Sequence, residues 1–187
     1  MEKVFEIYIK TTPERLWEAL TDSEMRAAYT FGIGVSSDWT VGSRYEGGSP
    51  MAAAPMTRHD VPTQQRTQMI EITDVVQRAV SAAGVTDGLA VVYIPHTTAA
   101  VTINENADPD VKHDLLAKLA ALVPHHESFY RHDEGNSDSH LKVAAVGSSV
   151  TVIVEGGRLQ LGRWQGIQFC EFDGPRPREV WVKVVGL

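Results

Sequence analysis

The sequence predicts an α+β fold in which helices pack on a mixed or antiparallel sheet or sandwich. Two observations lead to this prediction. Residues 88–95 and 99–106 are short, largely apolar runs typical of strands. Residues 73–83 and 109–124 repeat apolar side chains at helical spacing. Because the strands come in pairs with helices between them, the pattern indicates helices packed against a sheet.

The composition describes an acidic globular chain. It has 187 residues, a formal net charge of −7 and 43% hydrophobic residues, enough for one or two domains. We therefore expect no nucleic-acid partner. Neither an apolar run of about 18 residues nor an uncharged apolar N-terminus is present, so we expect no membrane association and a cytoplasmic location. Cys170 is the single cysteine, and its apolar surroundings predict a buried thiol.

Residues 1–48 differ in character from the rest. We predict a strand over residues 4–10, a helix from Pro13 to about Leu20 with Thr12 as its cap, and a second short helix. Trp39 and a glycine-rich turn into Tyr45 follow. The segment FEIYIKTTPERLWEALTDSEMRAAYT resembles the opening of the START-like (SRPBCC) superfamily, of the type related to activators of a heat-shock-protein ATPase. That resemblance implies an incomplete fragment, because the long sheet and closing helix that form the superfamily's cavity are missing.

Residues 49–67 have linker composition. They combine glycine, proline, alanine and polar residues without periodicity. We therefore predict a boundary here, between the fragment at residues 1–48 and a domain at residues 68–187.

The elements of the larger domain follow in order from residue 68. A strand ends near residue 72, and a helix then runs to Gly84, which terminates it. After the two strands named above, a helix begins at Pro109, with Asp108 as a possible cap. Its predicted core face consists of four apolar residues: Val111, Leu115, Leu119 and Leu122.

A polar stretch and a second group of strands complete the domain. Residues 125–139 are polar, and a short helix ended by Gly147 follows. Three strands then extend to the C-terminus, and the middle one is interrupted by Gly162 and Gly166, as a bend or bulge would require.

Most of the histidines lie between His96 and His140, which suggests a metal site. His113 on a helix, His132 in the following loop and His140 at the start of the next helix could converge. Three imidazoles would hold a divalent metal, for which zinc is favoured, with an open fourth position for catalysis. The alternative is that these are exposed or hydrogen-bonded histidines of a polar loop.

A second group suggests acid/base catalysis. His96 follows Pro95 at a strand end, beside two threonines, where a base or a fourth metal ligand could lie; a structural histidine is the alternative. Glu105 is flanked by amides, including Asn104, and could act as a general acid/base or hold a metal-bound water.

Three motifs resemble the YjbQ family: HTTAAVTINENADPDVKHD, YRHDEGNSDSHLK and GRLQLGRWQGIQFCEF. The resemblance covers about residues 60–187, and members carry the name "secondary thiamine-phosphate synthase enzyme". It implies an α+β fold, a homotrimer, and a divalent-metal site of histidines at or near a subunit boundary. Arg163 is a departure, because the family commonly has Gly-Thr-Trp-Gln at this motif.

Thiamine-phosphate chemistry would require a cluster of hydrogen-bond donors and cations that bind phosphate. Ser137, Lys142 and Arg158 supply a hydroxyl and two cations, and the helix opening near Ser137 adds backbone N–H groups. Ser137 could equally be only a helix cap.

The resemblance implies a metal-dependent enzyme that joins a pyrimidine pyrophosphate to a thiazole phosphate. Two alternatives stay open. One is a metal-dependent hydrolase or lyase of another small phosphorylated substrate, with thiamine-phosphate synthesis as a side activity, and histidine ligands fit it better than a magnesium-pyrophosphate site. The other is a non-catalytic trimeric binding protein.

Overall fold

The structure is a computed structural model that describes residues 10–29, 34–44, 46–48 and 54–186. The chain divides into two compact units, Met1–Met51 and Ala52–Leu187. Among the described residues, no helix has the length and apolarity needed to span a bilayer.

The described residues of the first unit form two short helices and one pair of strands. The helices are α1 (Pro13–Thr21) and α2 (Ser23–Tyr29), and the antiparallel strands are β1 (Gly34–Ser36) and β2 (Glu46–Gly48). The predicted cap is confirmed, because Thr12 Oγ1 accepts a hydrogen bond from the Arg15 N–H at 3.4 Å. The strand predicted over residues 4–10 lies outside the described residues apart from Lys10, and so does Tyr45. These elements do not by themselves establish a START-like fold.

The second unit contains two antiparallel sheets, so the predicted α+β class is confirmed. One sheet has five strands, in the order β3-β10-β5-β7-β8, and the other has three, in the order β4-β9-β6. The strands are β3 (Thr57–Pro62), β4 (Gln68–Glu71), β5 (Gly88–Tyr93), β6 (Ala99–Glu105), β7 (Ser149–Glu155), β8 (Arg158–Leu159), β9 (Gln165–Glu171) and β10 (Pro177–Gly186). The helices are α3 (Thr73–Ala83), α4 (Pro109–Leu122) and α5 (Ser137–Val146).

Strand β9 separates two apolar layers. Ile167 and Phe169 point into the main core, which contains residues of both sheets and of α3. Cys170 belongs to the opposite layer, where Ala100 and Phe172 pack against α4 and α5. This follows from the alternation of side chains along a strand. The predicted burial of Cys170 is confirmed, and burial raises the pKa of its thiol to about 12.

The end of α3 and the start of α4 lie where the sequence predicts them. Helix α3 ends at Gly84, whose φ of +65° is left-handed. Helix α4 is capped by Asp108, whose Oδ1 accepts from the Asp110 N–H at 2.9 Å.

The predicted core face of α4 needs correction. Leu119 packs against the layer that contains Cys170, as expected. The other residue of α4 that packs there is Leu116, which was not predicted, and Leu122 is 64% exposed. Because α4 covers a narrow three-stranded sheet from outside, none of its residues is fully buried.

The predicted linker at residues 49–67 also needs correction. Residues 57–62 form β3, which pairs with β10 from Thr57 opposite Val182 to Pro62 opposite Pro177. As an edge strand it exposes polar side chains and fully buries only Val61, so its sequence lacks a strong apolar pattern.

The two glycines predicted to interrupt the penultimate strand have different roles. The chain turns between β8 and β9, where Gly162 lies. Gly166, in contrast, is regularly paired with Asn104 inside β9. A Cβ at Gly166 would lie 2.8 Å from the Asn106 Cβ, so glycine allows a close approach there rather than a bulge.

Candidate functional site

A polar pocket of about 250 Å³ lies where three segments of the second unit meet. These are the loop from β5 to β6, the loop before α5, and the loop from β9 to β10. The lining consists of Pro95, His96, Thr97, Thr98, Glu134, Asn136, His140, Asp173, Arg176 and Arg178. We refer to this cavity as the polar pocket.

A buried ion pair forms the floor of the polar pocket. Arg178 donates from Nε to Glu171 Oε2 at 2.7 Å and from Nη2 to Oε1 at 2.6 Å. Its Nη2 also donates to Thr98 Oγ1 at 2.8 Å. Glu171 Oε1 accepts the backbone N–H groups of Phe172 and Asp173 as well. Both charged side chains are buried, so this geometry fixes the guanidinium in place.

The ring of His96 is held in one neutral form. Its Nε2 accepts the backbone N–H of Glu179 at 2.9 Å, which requires a lone pair on Nε2 and leaves the proton on Nδ1. Burial and the charge of Arg178 lower the pKa of His96, while the charges of Glu171 and Glu179 act in the opposite direction. In this form His96 offers an N–H donor rather than a free base.

Arg66 joins two buried carboxylates beside the polar pocket. It donates from Nη1 to Asp173 Oδ1 and from Nη2 to Asp138 Oδ1, both at 3.0 Å. Asp173 Oδ2 accepts from Arg176 Nη2 at 2.7 Å and from Asn136 Nδ2 at 2.9 Å. The Asp173 carboxylate therefore already accepts hydrogen bonds from three side chains.

Asp138 anchors the start of α5. Burial alone would raise its pKa, but hydrogen bonds from Lys142 and His125 and the charge of Arg66 outweigh burial and lower it. Lys142 is itself buried and donates to Asp138 Oδ2 at 2.7 Å. Lys142 therefore balances a buried charge here and is not presented to a phosphate in the polar pocket.

Asn136 contains a buried polar atom without a partner. Its Nδ2 is bound to Asp173, and within the described part of the chain its Oδ1 accepts no hydrogen bond. Asn136 occupies the cap position of α5 but makes no side-chain capping bond. An unsatisfied buried acceptor costs about 1–3 kcal/mol of folding free energy. An unpaired Asn136 Oδ1 in a pocket wall is therefore typical of a functional position.

The three predicted metal ligands do not converge within one chain. The rings of His132 and His140 lie 5.2 Å apart between centroids. His113 lies on α4 with its side chain 78% exposed, and its Nδ1 lies 3.2 Å from Asp114 Oδ1. Across the ranges that the structure describes, no three histidine, cysteine or acidic side chains are arranged to hold a metal ion.

Two predicted catalytic residues lie far from His96. Ala99, at the start of β6, pairs with Glu171, whereas Asn104 and Glu105 lie at the other end of the strand. Six residues of strand correspond to about 20 Å. The chain thus brings only His96 of the three to the polar pocket.

The residues predicted to bind phosphate are also separated from one another. Ser137 begins α5 and lines a neighbouring groove. Arg158 pairs with Glu155 at one end of β7, whereas Ser149 at the other end pairs with Tyr93, three residues before His96.

The arginines and carboxylates that form the polar pocket were not among the predicted site residues. Their signal was the segment 171–178, Glu-Phe-Asp-Gly-Pro-Arg-Pro-Arg, which places four charges in a turn between two apolar strands. Conversely, Arg66 and Asp138 are 72 residues apart, and no local pattern connects them.

Comparison with known proteins agrees with this architecture. The family model described as "UPF0047 protein YjbQ-like" matches residues 57–187, beginning at the first residue of β3. The UPF0047 protein YugU of Bacillus subtilis is 52% identical over 126 residues, covering 67% of this chain and 96% of the relative. A UPF0047 protein of Methanocaldococcus jannaschii is 50% identical over 129 residues, covering 69% and 93%.

Two solved structures share the fold. A YjbQ/UPF0047-family protein from Clostridium acetobutylicum has a TM-score of 0.67 and 52% identity, covering 68% of this chain and 98% of that one. A protein of unknown function from Sulfolobus solfataricus has a TM-score of 0.68 and 29% identity, covering 71% and 97%. On the match over residues 57–187 and these identities, the chain belongs to the YjbQ-like UPF0047 family.

Proposed function

We propose that this protein is an enzyme that binds a small phosphorylated substrate in the polar pocket. The observation that carries the proposal is the buried Arg178, which is fixed by Glu171 and lines the same cavity as His96. Because the Thr98 oxygen accepts from Arg178, its hydroxyl proton is free to donate to a ligand. Arg176 adds a second guanidinium, and the Asp173 carboxylate is occupied by other donors. This set of donors favours an anion such as phosphate.

The specific reaction we propose is of the thiamine-phosphate synthase type. In it, the thiazole nitrogen attacks the methylene carbon of the pyrimidine pyrophosphate, a C–N bond forms, and pyrophosphate leaves with the electron pair of the broken C–O bond. Arg176, Arg178 and the His96 N–H would stabilise the charge that grows on the leaving oxygen. The polar pocket equally suits a hydrolase or lyase of another phosphorylated molecule, or a binding protein.

Metal dependence is a separate proposal. His113, His132 and His140 do not come together within one chain, so their arrangement does not fit the expected zinc site. The reaction proposed for this chain therefore uses only its own side chains. Elemental analysis of the purified protein tests the proposal: stoichiometric zinc would support it, and absence of metal after reconstitution would reject it.

Three other expectations are proposals as well: a homotrimer, a cytoplasmic location, and a START-like fragment over residues 1–48. Light scattering tests the first, which predicts three times the chain mass of 20.5 kDa. The two helices that follow Thr12 support the third, and an experimental structure of residues 1–48 within the full chain would test it.

Calorimetric titration with inorganic pyrophosphate tests binding in the polar pocket. Arg176→Gln should weaken affinity by about tenfold or more, because a charge-assisted hydrogen bond contributes about 1.5–3 kcal/mol. Asp173 keeps Arg66 and Asn136 as donors in this variant, so the fold should persist. Arg158→Gln is the matched control and should bind as the unmodified protein does. Loss of affinity in the control, or none in Arg176→Gln, would place the anion elsewhere.

A coupled assay tests the reaction. The protein is mixed with the pyrimidine pyrophosphate and the thiazole phosphate, and thiamine phosphate is measured. We expect product from the unmodified protein and much less from Arg176→Gln. Pyrophosphate binding without product would reject the synthase reaction and favour the alternatives.

A further inference from the structure

An apolar groove lies directly beside the polar pocket. Its volume is about 560 Å³, within the range of small-molecule sites. Its lining consists of Phe129, Tyr130, Arg131, His132, Ser137, His140 and Leu141. His140 also lines the polar pocket, so the two cavities adjoin at this side chain.

The groove exposes large apolar side chains to solvent. Phe129 is 70% exposed and Leu141 is 46% exposed. The rings of Phe129 and Tyr130 meet edge to face, 5.0 Å apart between centroids. Tyr130 is held in place because its hydroxyl donates to the Pro124 carbonyl at 3.1 Å. The groove is thus an ordered apolar surface formed by the segment that precedes α5 and by α5 itself.

We infer that the substrate has two parts, with its phosphate in the polar pocket and an apolar ring on Phe129 and Leu141. The inference rests on the proposed function. The two cavities share His140, so a ligand that is anchored by Arg178 and His96 and extends past His140 reaches the groove. Burying a ring on the exposed side chains gains free energy that the phosphate alone does not provide. The substrate class is therefore a phosphate ester or pyrophosphate of an apolar or aromatic ring.

The test compares two probes on the full chain. Inorganic phosphate occupies the polar pocket alone, whereas phenyl phosphate adds one aromatic ring. We expect phenyl phosphate to bind about tenfold more tightly by calorimetry. The double variant Phe129→Ala, Leu141→Ala should lose that advantage and keep its affinity for inorganic phosphate.

A second double variant is the matched control. Leu122 and Ile153 are similarly exposed but do not line the groove. Leu122→Ala, Ile153→Ala should therefore retain the preference for phenyl phosphate.

Three results would overturn the inference. The first is equal affinity for both probes in the unmodified protein, and the second is an unchanged preference in the Phe129, Leu141 variant. The third is a changed oligomeric mass in that variant, which would show that a second copy of the chain covers the groove. The proposed function would fail separately, and the inference with it, if inorganic phosphate did not bind or if Arg176→Gln did not weaken its binding.

Discussion

The guanidinium of Arg178 spans both carboxylate oxygens of Glu171 in the interior of the protein, with N–O distances of 2.7 and 2.6 Å. Glu171 ends β9 and Arg178 is the second residue of β10, so the pair closes the loop between the two strands. That loop carries Asp173 and Arg176 into the wall of the polar pocket. The ion pair thus links the sheet architecture to the geometry of the candidate site.

Glu171→Gln should lower the free energy of unfolding by about 3–5 kcal/mol. The substitution removes one charge of a buried pair and leaves the Arg178 guanidinium uncompensated. Urea denaturation measures the effect. Glu155→Gln, at an exposed position of β7, is the control and should change stability by less than about 0.5 kcal/mol. Equal changes in the free energy of unfolding in the two variants would show that the buried ion pair does not stabilise the fold more than an exposed carboxylate does.

His96 should make stability depend on pH just below its ordinary pKa of 6.5. Burial and Arg178 lower the pKa of His96 in the folded chain, so the unfolded chain binds its proton first. The His96 contribution is fully present above pH 6.5 and decreases as pH falls toward the lowered folded value. His96→Gln should remove this component from unfolding curves measured between pH 7 and about pH 5.

The exposed His126 provides the control for that experiment. His126→Gln should retain the same pH dependence as the unmodified protein. If His96→Gln and the unmodified protein lost stability in parallel, the neutral form assigned to His96 would be wrong.

Gly174→Ala should disturb the polar pocket. A Cβ there would clash with the Gln65 carbonyl oxygen and lie 2.9 Å from the Glu171 Cγ, so the loop must shift. We expect a loss of about 1–3 kcal/mol in unfolding free energy together with weaker pyrophosphate binding. Gly84→Ala meets no atom within 4 Å but has a left-handed φ, so it should cost about 1 kcal/mol and leave binding unchanged. Unchanged pyrophosphate affinity in Gly174→Ala would contradict the importance of the loop.

Apolar periodicity was sufficient to predict most elements of the fold. Helix α3 and its end at Gly84, the capped start of α4, and strands β5, β6, β7 and β10 were all predicted from local pattern. Strand β3 was missed because an edge strand buries one side chain fully and its sequence resembles a linker. Local pattern describes how much of a segment is buried, and β3 is buried very little.

The site was harder to predict because its residues meet only in three dimensions. His96 and His140 were identified as functional candidates and do line the polar pocket. The histidine-rich region predicted a metal site, whereas arginine side chains form ion pairs with the carboxylates around the polar pocket. Arg66 reaches Asp173 across 107 residues, and such a contact leaves no spacing that a sequence pattern could reveal.

A crystal structure of the full chain grown with inorganic pyrophosphate would locate the bound anion. We expect the anion in the polar pocket, within hydrogen-bond distance of Arg178 and of His96 Nδ1, with the Arg178–Glu171 ion pair intact. An anion bound at Arg158 or elsewhere, with none in the polar pocket, would rule out the proposed binding site.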